Sequence, residues 1–329
     1  MIRRFQLVDG SLVPSESEKA SIHVYINPDA NERQFLGTTY NLDEHTLSSA
    51  LDPDEVPRIE VKPEQTFIVW KRPKNYSAGD TFFFEVASVG LLLLKDRLVV
   101  VAADDIELSN PLTRQTLAPR SPSDVMLGAL YGTIHHYLGH LKVIKLIARD
   151  LQQKINTSME NKHLIQMFNL SESLVFYLNA IDANGRVLTR LRNHAERETW
   201  PAEVIALIDD LIIENTQCYR QAEIYSTVYS GLMDARGTLV NNNMNKLLKN
   251  LTLINVVFLP LNLIAGIGGM SEFSMMTEGV DWRISYTLFT VAMLLLGGLT
   301  AVMLRKVGIR ERMAGEEAGP RRRKSDTPL

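Results

Sequence analysis

The chain reads as an α/β domain followed by a long helical stalk and two C-terminal membrane-spanning helices. Three observations predict this. Short runs rich in β-branched and aromatic residues, separated by turn residues, extend to about Asp105. An apolar period of three and four residues takes over beyond Asp124. Near the end, no ionisable residue occurs between Lys249 and Glu272 or between Arg283 and Arg305, so each run is about the length a helix needs to cross the hydrocarbon core. A buried soluble helix is the other reading of such a run. Two of them back to back, beside a basic tail, favour membrane spans.

The elements follow in chain order. Residues 1–10 hold two arginines but no apolar core of secretory-signal length, so the amino terminus is expected in the cytoplasm. Residues 22–26, 67–70, 81–94 and 97–103 read as strands, with Lys95-Asp96-Arg97 as a hairpin turn. Residues 43–51 read as a short helix that exits through Asp52-Pro53-Asp54-Glu55. Pro111, Pro119 and Pro122 mark the end of this domain, 1–123.

A helical region, 124–200, comes next. Leu127, Leu130, Ile134, Leu138, Leu141 and Ile144 define its first helix, and residues 164–191 define later helical turns, with Asp182-Ala183-Asn184-Gly185 as a candidate break. Pro201 suits the first turn of the last helix, with Thr199 as its capping oxygen, and the next proline is Pro260. An uninterrupted helix over 202–266 would be roughly 100 Å long at about 1.5 Å per residue, so it is expected to leave the soluble domain as a stalk. The divisions are then a stalk over 201–250, a first span over 251–270, an external loop over 271–283, a second span over 284–304 and a basic tail over 305–329.

Charge sets the orientation. The tail carries Arg305, Lys306, Arg310, Arg312, Arg321, Arg322, Arg323 and Lys324 against Glu311, Glu316, Glu317 and Asp326, and such an excess stays on the cytoplasmic side. Two crossings place both termini inside, in a cell inner (plasma) membrane, and leave the acidic loop outside. The Arg321–Lys324 cluster suits anionic headgroups or solvation beside a membrane, so no nucleic-acid partner is expected. The single cysteine, Cys218, excludes an internal disulfide and fits a reducing compartment. No glycine-rich loop ending in Gly-Lys-Ser/Thr is present, so the chain is not expected to be an enzyme or to need a cofactor.

The residues that carry chemistry lie at the end of the stalk. Asn245, Leu248, Thr252, Asn255, Leu259, Asn262 and Gly266 fall on one face at alternating steps of three and four. Amides do not face lipid, so this stripe meets either another helix or water. Polar positions that hold a hydrated ion, separated by leucines that can dewet, make a gated pore. One helix cannot enclose a channel, so several copies would share it around a symmetry axis.

Glu214-Asn215-Thr216, Gln221-Ala222-Glu223-Ile224, the run from Asn245 to Thr252, Phe258-Leu259-Pro260-Leu261 and Gly266-Ile267-Gly268-Gly269-Met270 closely resemble the CorA family of divalent-cation channels. Weaker likeness extends upstream through Arg58-Ile59-Glu60, Phe67-Ile68-Val69 and Tyr177-Leu178 to Leu188, so the resemblance covers nearly the whole chain. It implies a funnel-shaped homopentamer with a pore-lining first span and a second span outside it. The cargo it implies is a divalent cation, Mg2+ first and Zn2+ or Co2+ close behind.

One departure stands out. The family's Gly-Met-Asn signature reads Gly269-Met270-Ser271 here, as expected of a CmaX-like branch. Serine keeps an oxygen but is shorter, so its ring would be wider and would discriminate hydrated ions less well. Glu272 follows and can supply charge. Glu272, Glu278 and Asp281, repeated around the mouth, would raise the local cation concentration, or else simply solvate the loop. Met275-Met276 is expected to touch lipid or a neighbouring helix rather than a soft metal.

The resemblance also places an acidic residue at subunit interfaces near Asp209-Asp210. Metal bound there would favour a closed state, and a solvated helix face is the alternative. His136 and His140 have metal-ligand spacing but no matching carboxylate or cysteine, so they are expected to be surface histidines. Two alternatives to Mg2+ passage remain: a zinc transporter, proton-coupled or not, and a non-conducting metal-sensing scaffold.

Overall fold

A computed structural model describes residues 1–74, 82–106, 119–157 and 161–317, without the side chains of 155–157, 161, 239, 272–274, 301 and 304–317. Thr81, Pro111 and the Arg321–Lys324 cluster lie outside the described residues, as does the side chain of Glu272. The chain divides into two units, Met1–Asp234 and Ala235–Leu329.

The first unit is built on a seven-stranded sheet of β1 (Ile2–Val8), β2 (Ser11–Pro14), β3 (Ile22–Ile26), β4 (Arg58–Lys62), β5 (Gln65–Pro73), β6 (Val86–Leu94) and β7 (Leu98–Ala102). Their order is β2-β1-β3-β7-β6-β5-β4. All pairs are antiparallel except β3 with β7, which run parallel in the register Val24↔Val100.

The central strands match the sequence expectation, although β6 begins at Val86 rather than in residues 81–85. Three strands and a helix were not anticipated: β1, β2, β4 and α1 (Ala30–Tyr40). β1 and β4 carry Arg3, Arg4, Arg58 and Lys62 and are only partly buried, so apolar runs do not reveal them. Turn and cap chemistry does. Asp9-Gly10 joins β1 to β2 with both φ values positive, 47° and 76°, as a tight hairpin turn requires. Asp29 and Glu32 form a reciprocal capping box on α1, with the Glu32 amide donating to Asp29 Oδ1 at 2.8 Å and the Asp29 amide donating to Glu32 Oε2 at 3.0 Å.

Helices cover both faces of the sheet, which is why β7 is apolar throughout. On one face Tyr25, Val99 and Val101 pack with Leu36 of α1 and Leu47 of α2 (Glu44–Leu51). On the other, Val24, Trp70 and Val100 share a core with Leu130 and Tyr137 of α3 (Pro122–Thr157), Leu174 and Tyr177 of α4 (Asn161–Arg197), and Ile208, Leu211 and Cys218 of α5 (Ala202–Gly268).

The expected break in α4 does not occur. Asn184 sits inside the continuous helix and is buried, its Oδ1 accepting from the Lys71 amide at 3.0 Å and its Nδ2 donating to the Lys71 carbonyl at 2.8 Å. Lys71 lies past the end of β4, whose pairing with β5 stops at Arg58↔Val69, so Asn184 supplies bonds that no strand neighbour offers there. Gly185 leaves space for Asn215 of α5, whose Nδ2 would lie 3.0 Å from an added Cβ and which donates to the Ile181 carbonyl at 2.9 Å. Polar and small residues at this point are docking chemistry rather than helix breakers.

α5 is one helix of 67 residues that keeps Pro260 within it. Its first amides are accepted by the Pro201 carbonyl, from Val204 at 2.9 Å and Ile205 at 3.2 Å. Thr199 instead closes the end of α4, with φ of 52° and its amide donating to the Glu196 carbonyl. The second unit comprises the rest of α5, a short helix α6 (Ser271–Met276) inside the expected loop, and α7 (Trp282–Glu317), which runs beyond the expected end of the second span at 304. Both α5 and the segment Trp282–Thr300 are long and apolar enough to cross a membrane.

Candidate ion pathway and its mouth

At about 100° per residue the seven stripe residues of α5 cluster on one side of the helix. All seven are exposed, Leu259 at 74% and Leu248 at 53%. Val257, Pro260, Leu261 and Ile264 are partly covered and Gly268 is buried, and these occupy the roughly opposite side. That covered side meets α7: an added Cβ on Gly268 would strike the Phe289 ring, and one on Gly297 would lie 3.1 Å from Leu261 Cδ1. Leu261 is seven residues before Gly268 and Gly297 eight after Phe289, so α5 and α7 run antiparallel.

The asparagine stripe is therefore turned away from the chain's own second span. Asn245, Asn255 and Asn262 bond through their side chains to no described residue. Amide packing between α5 and α7 does not use them, which leaves water or another copy as what they face. Thr252 Oγ1 donates to the Leu248 carbonyl at 2.8 Å, so its hydroxyl proton is turned into the helix and its lone pairs point outward. Gly266 has open space where a Cβ would be.

At the mouth, the Gly269 amide donates to the Ala265 carbonyl at 3.1 Å and the Met270 amide to the Ile267 carbonyl at 3.1 Å, which ends α5 in a tight turn. Ser271 then opens α6 and is exposed. Asp281 caps α7: its carbonyl accepts from Ile284 and Ser285 at 2.9 and 3.0 Å, and its Oδ1 accepts from the Arg283 amide at 2.9 Å. One carboxylate oxygen thus has a structural task. Glu278 is exposed, and the Arg283 guanidinium lies 5.5 Å from the Trp282 ring centroid.

In the first unit, Asp209 Oδ1 accepts from Arg192 Nε at 2.7 Å, and Arg192 also pairs with Glu196 at 2.8 Å. The bond to Asp209 and the two carboxylates raise the Arg192 pKa. Asp209 is thereby partly neutralised within its own chain, and Asp210 is the exposed member of the pair. No group of three metal-ligating side chains is assembled among the described residues. A cleft of about 1190 Å3 in the same unit holds Lys62, Lys95 and Arg120 beside Glu198 and Glu203, a mixture that selects neither sign of ion.

The histidines depart from expectation. His140 is buried, with Nδ1 2.6 Å from the Tyr177 hydroxyl, and its ring lies 4.4 Å from that of His136. Position 140 follows Tyr137 by three and precedes Ile144 by four, so the helical period carries it onto the core face rather than the surface. Burial lowers both pKa values, that of His140 to about 4, so it is neutral at pH 7. Sequence reasoning also missed Tyr286 and Phe289, which meet the last residue of α5. Only the glycine at 268 hinted that something approaches closely there.

The family of CorA-like Mg2+ transporter proteins matches residues 21–306. A cobalt/magnesium transport protein CorA of Methanocaldococcus jannaschii is 22% identical over 285 residues, 80% of this chain and 86% of that protein. One of Thermotoga maritima with the same description is 24% identical over 286 residues, 83% and 78% of the two chains. Among solved structures, the complete CorA magnesium transporter of M. jannaschii matches with a TM-score of 0.72 at 18% identity, covering 92% of this chain and 96% of that one. The full-length CmaX protein matches with a TM-score of 0.64 at 15% identity, covering 94% and 97%. The α/β domain, the long helix and the two C-terminal apolar helices are thus one known fold, and with 286 of its 329 residues matched the chain belongs to the CorA family.

Proposed function

We propose that the chain carries divalent cations across the inner (plasma) membrane through a gated channel, Mg2+ foremost, as a homopentamer with both termini in the cytoplasm. The observation that carries this reading is the polar stripe of α5 facing away from α7. Repeated around an axis, Asn245, Thr252, Asn255 and Asn262 present neutral oxygens to a hydrated ion, and Leu248 and Leu259 form apolar constrictions between them. Gly266 leaves the bore open. The two relatives are described as cobalt/magnesium transport proteins, which supports Mg2+ and Co2+ as cargo.

The mouth takes the CmaX-like form, in which Ser271 follows Gly269-Met270. A ring of short hydroxyls recognises the ion through its water shell, because Mg2+ gives up that shell reluctantly. Glu272 and Glu278, with the remaining oxygen of Asp281, attract cations toward it. On the cytoplasmic side, metal at Asp210, with Asp209 once Arg192 releases it, would favour the closed form. A negative interior assists a doubly charged ion by about 4.6 kcal/mol per 100 mV, twice the single-charge value, so influx is the natural direction.

Liposomes holding the purified chain, assayed with Mg2+, Co2+, Ni2+ and Zn2+, test the proposal. Potential-driven Mg2+ uptake that saturates and closes with internal Mg2+ is expected. Zinc flux that follows a pH gradient instead would select the zinc transporter, and metal binding without flux would select the scaffold.

A further inference from the structure

Gly268 is the only buried residue of the second unit among those whose burial is described. What buries it is α7. An added Cβ would lie 2.4 Å from Cζ of Phe289 and 2.8 and 2.9 Å from its Cε1 and Cε2, so the ring stands against bare backbone. Nearly one turn earlier, the Tyr286 hydroxyl donates to the Gly268 carbonyl at 3.4 Å. That carbonyl lies in the last turn of α5, where a helix leaves acceptors without intrahelical partners, and in a membrane such a group needs a donor from elsewhere. Leu261 filling the notch at Gly297 makes a second contact of the same kind, with glycine and side chain exchanged between the helices. Together the two contacts fix the register of α5 against α7.

Three residues beyond Gly268 stands Ser271. The turn between them is closed on α5 by the bonds of Gly269 and Met270 and held on α7 by Tyr286 and Phe289. A serine side chain is short and has a single heavy-atom torsion, so it cannot reach across to make up for a displaced backbone. The width of a serine ring is therefore set almost directly by where the backbone stands.

We infer that Tyr286 and Phe289 are positioning residues for the mouth, fixing the end of α5 and thereby the radius at which the Ser271 hydroxyls surround the ion path. The inference rests on the pore reading above and extends it from the ring to the residues that hold the ring. Its signature is selectivity, because a merely structural loss lowers flux of all ions alike.

The full chain in liposomes, with the Mg2+ to Zn2+ flux ratio as readout, provides the test. Phe289→Leu and Tyr286→Phe should each shift the ratio by about threefold or more, and Leu294→Ala, at an exposed position of α7, should leave it within about twofold. Gly268→Ala should shift it too, and adding Phe289→Leu should return it toward the wild-type ratio because the new methyl then has room. Unchanged ratios in Phe289→Leu and Tyr286→Phe, or a double variant no nearer the wild type than Gly268→Ala, would overturn the inference. If Gly268→Ala fails to assemble, Tyr286→Phe, which removes one oxygen, decides the matter alone. Wild-type chain that passes no divalent ion overturns the pore reading itself, whereas a conducting wild type with indifferent variants overturns only the positioning role.

Discussion

The first unit and the second are made of the same apolar residue types and use them in opposite ways. Trp70, Val99, Val100 and Leu130 are fully buried in the first. In the second, Leu259, Leu288 and Leu294 are exposed at 74, 73 and 71%, and Gly268 alone is buried among the residues whose burial is described. A single chain suffices to give the sheet and its helices a core. The second unit is folded for a different solvent, the lipid that its two apolar helices meet, and most of its backbone bonds are satisfied inside its own helices.

Four measurements sharpen or break that contrast. The largest effect belongs to the core: Trp70→Ala should destabilise the first unit by about 3–5 kcal/mol, read by denaturant unfolding in detergent, and a comparable loss from Leu294→Ala would erase the distinction. Acid comes next. Burial lowers the pKa of His140 and of His23 from 6.5 to about 4, with Arg97 and Arg4 adding to the effect at His23. Both are neutral when folded but take up a proton when unfolded in this window, so stability present above about pH 6.5 falls as the pH drops toward 4, by at most roughly 3 kcal/mol for each group. His140→Gln should remove its share. All seven histidines precede Ala235, so the helical signal of the second unit should not follow this titration.

Asn184→Ala leaves the Lys71 amide and carbonyl buried without partners, a loss of about 1–3 kcal/mol that faster hydrogen exchange at Lys71 would also report. The smallest effect on stability, within about 0.5 kcal/mol, is expected from Leu259→Ala. Its consequence is functional instead: a several-fold greater leak of Mg2+ in the closed state, measured in liposomes. Unchanged leak would remove Leu259 from the constriction.

Much of this architecture was legible along the chain because it depends on neighbours in sequence. The two spans follow from the spacing of charges, the polar stripe from steps of three and four, and α2 from its run at residues 43–51; its cap, where the Asp43 side chain accepts from the Thr46 amide, is a further local signal. The Asp9-Gly10 turn and the Asp29-Glu32 box were equally available signals, passed over because the strands and helix they mark carry charge.

Other features depended on contacts between residues far apart. Asn184 and Gly185 look like a break until Lys71, 113 residues earlier than Asn184, supplies the partner that keeps α4 whole. His140 looks like a surface histidine until Tyr177 closes over it. The register that brings Phe289 onto Gly268 belongs to neither helix alone. Hydropathy, period and caps act within a few residues and are written in the sequence itself. Where a polar group finds its partner, and which glycine accepts a ring, is decided only when distant segments pack.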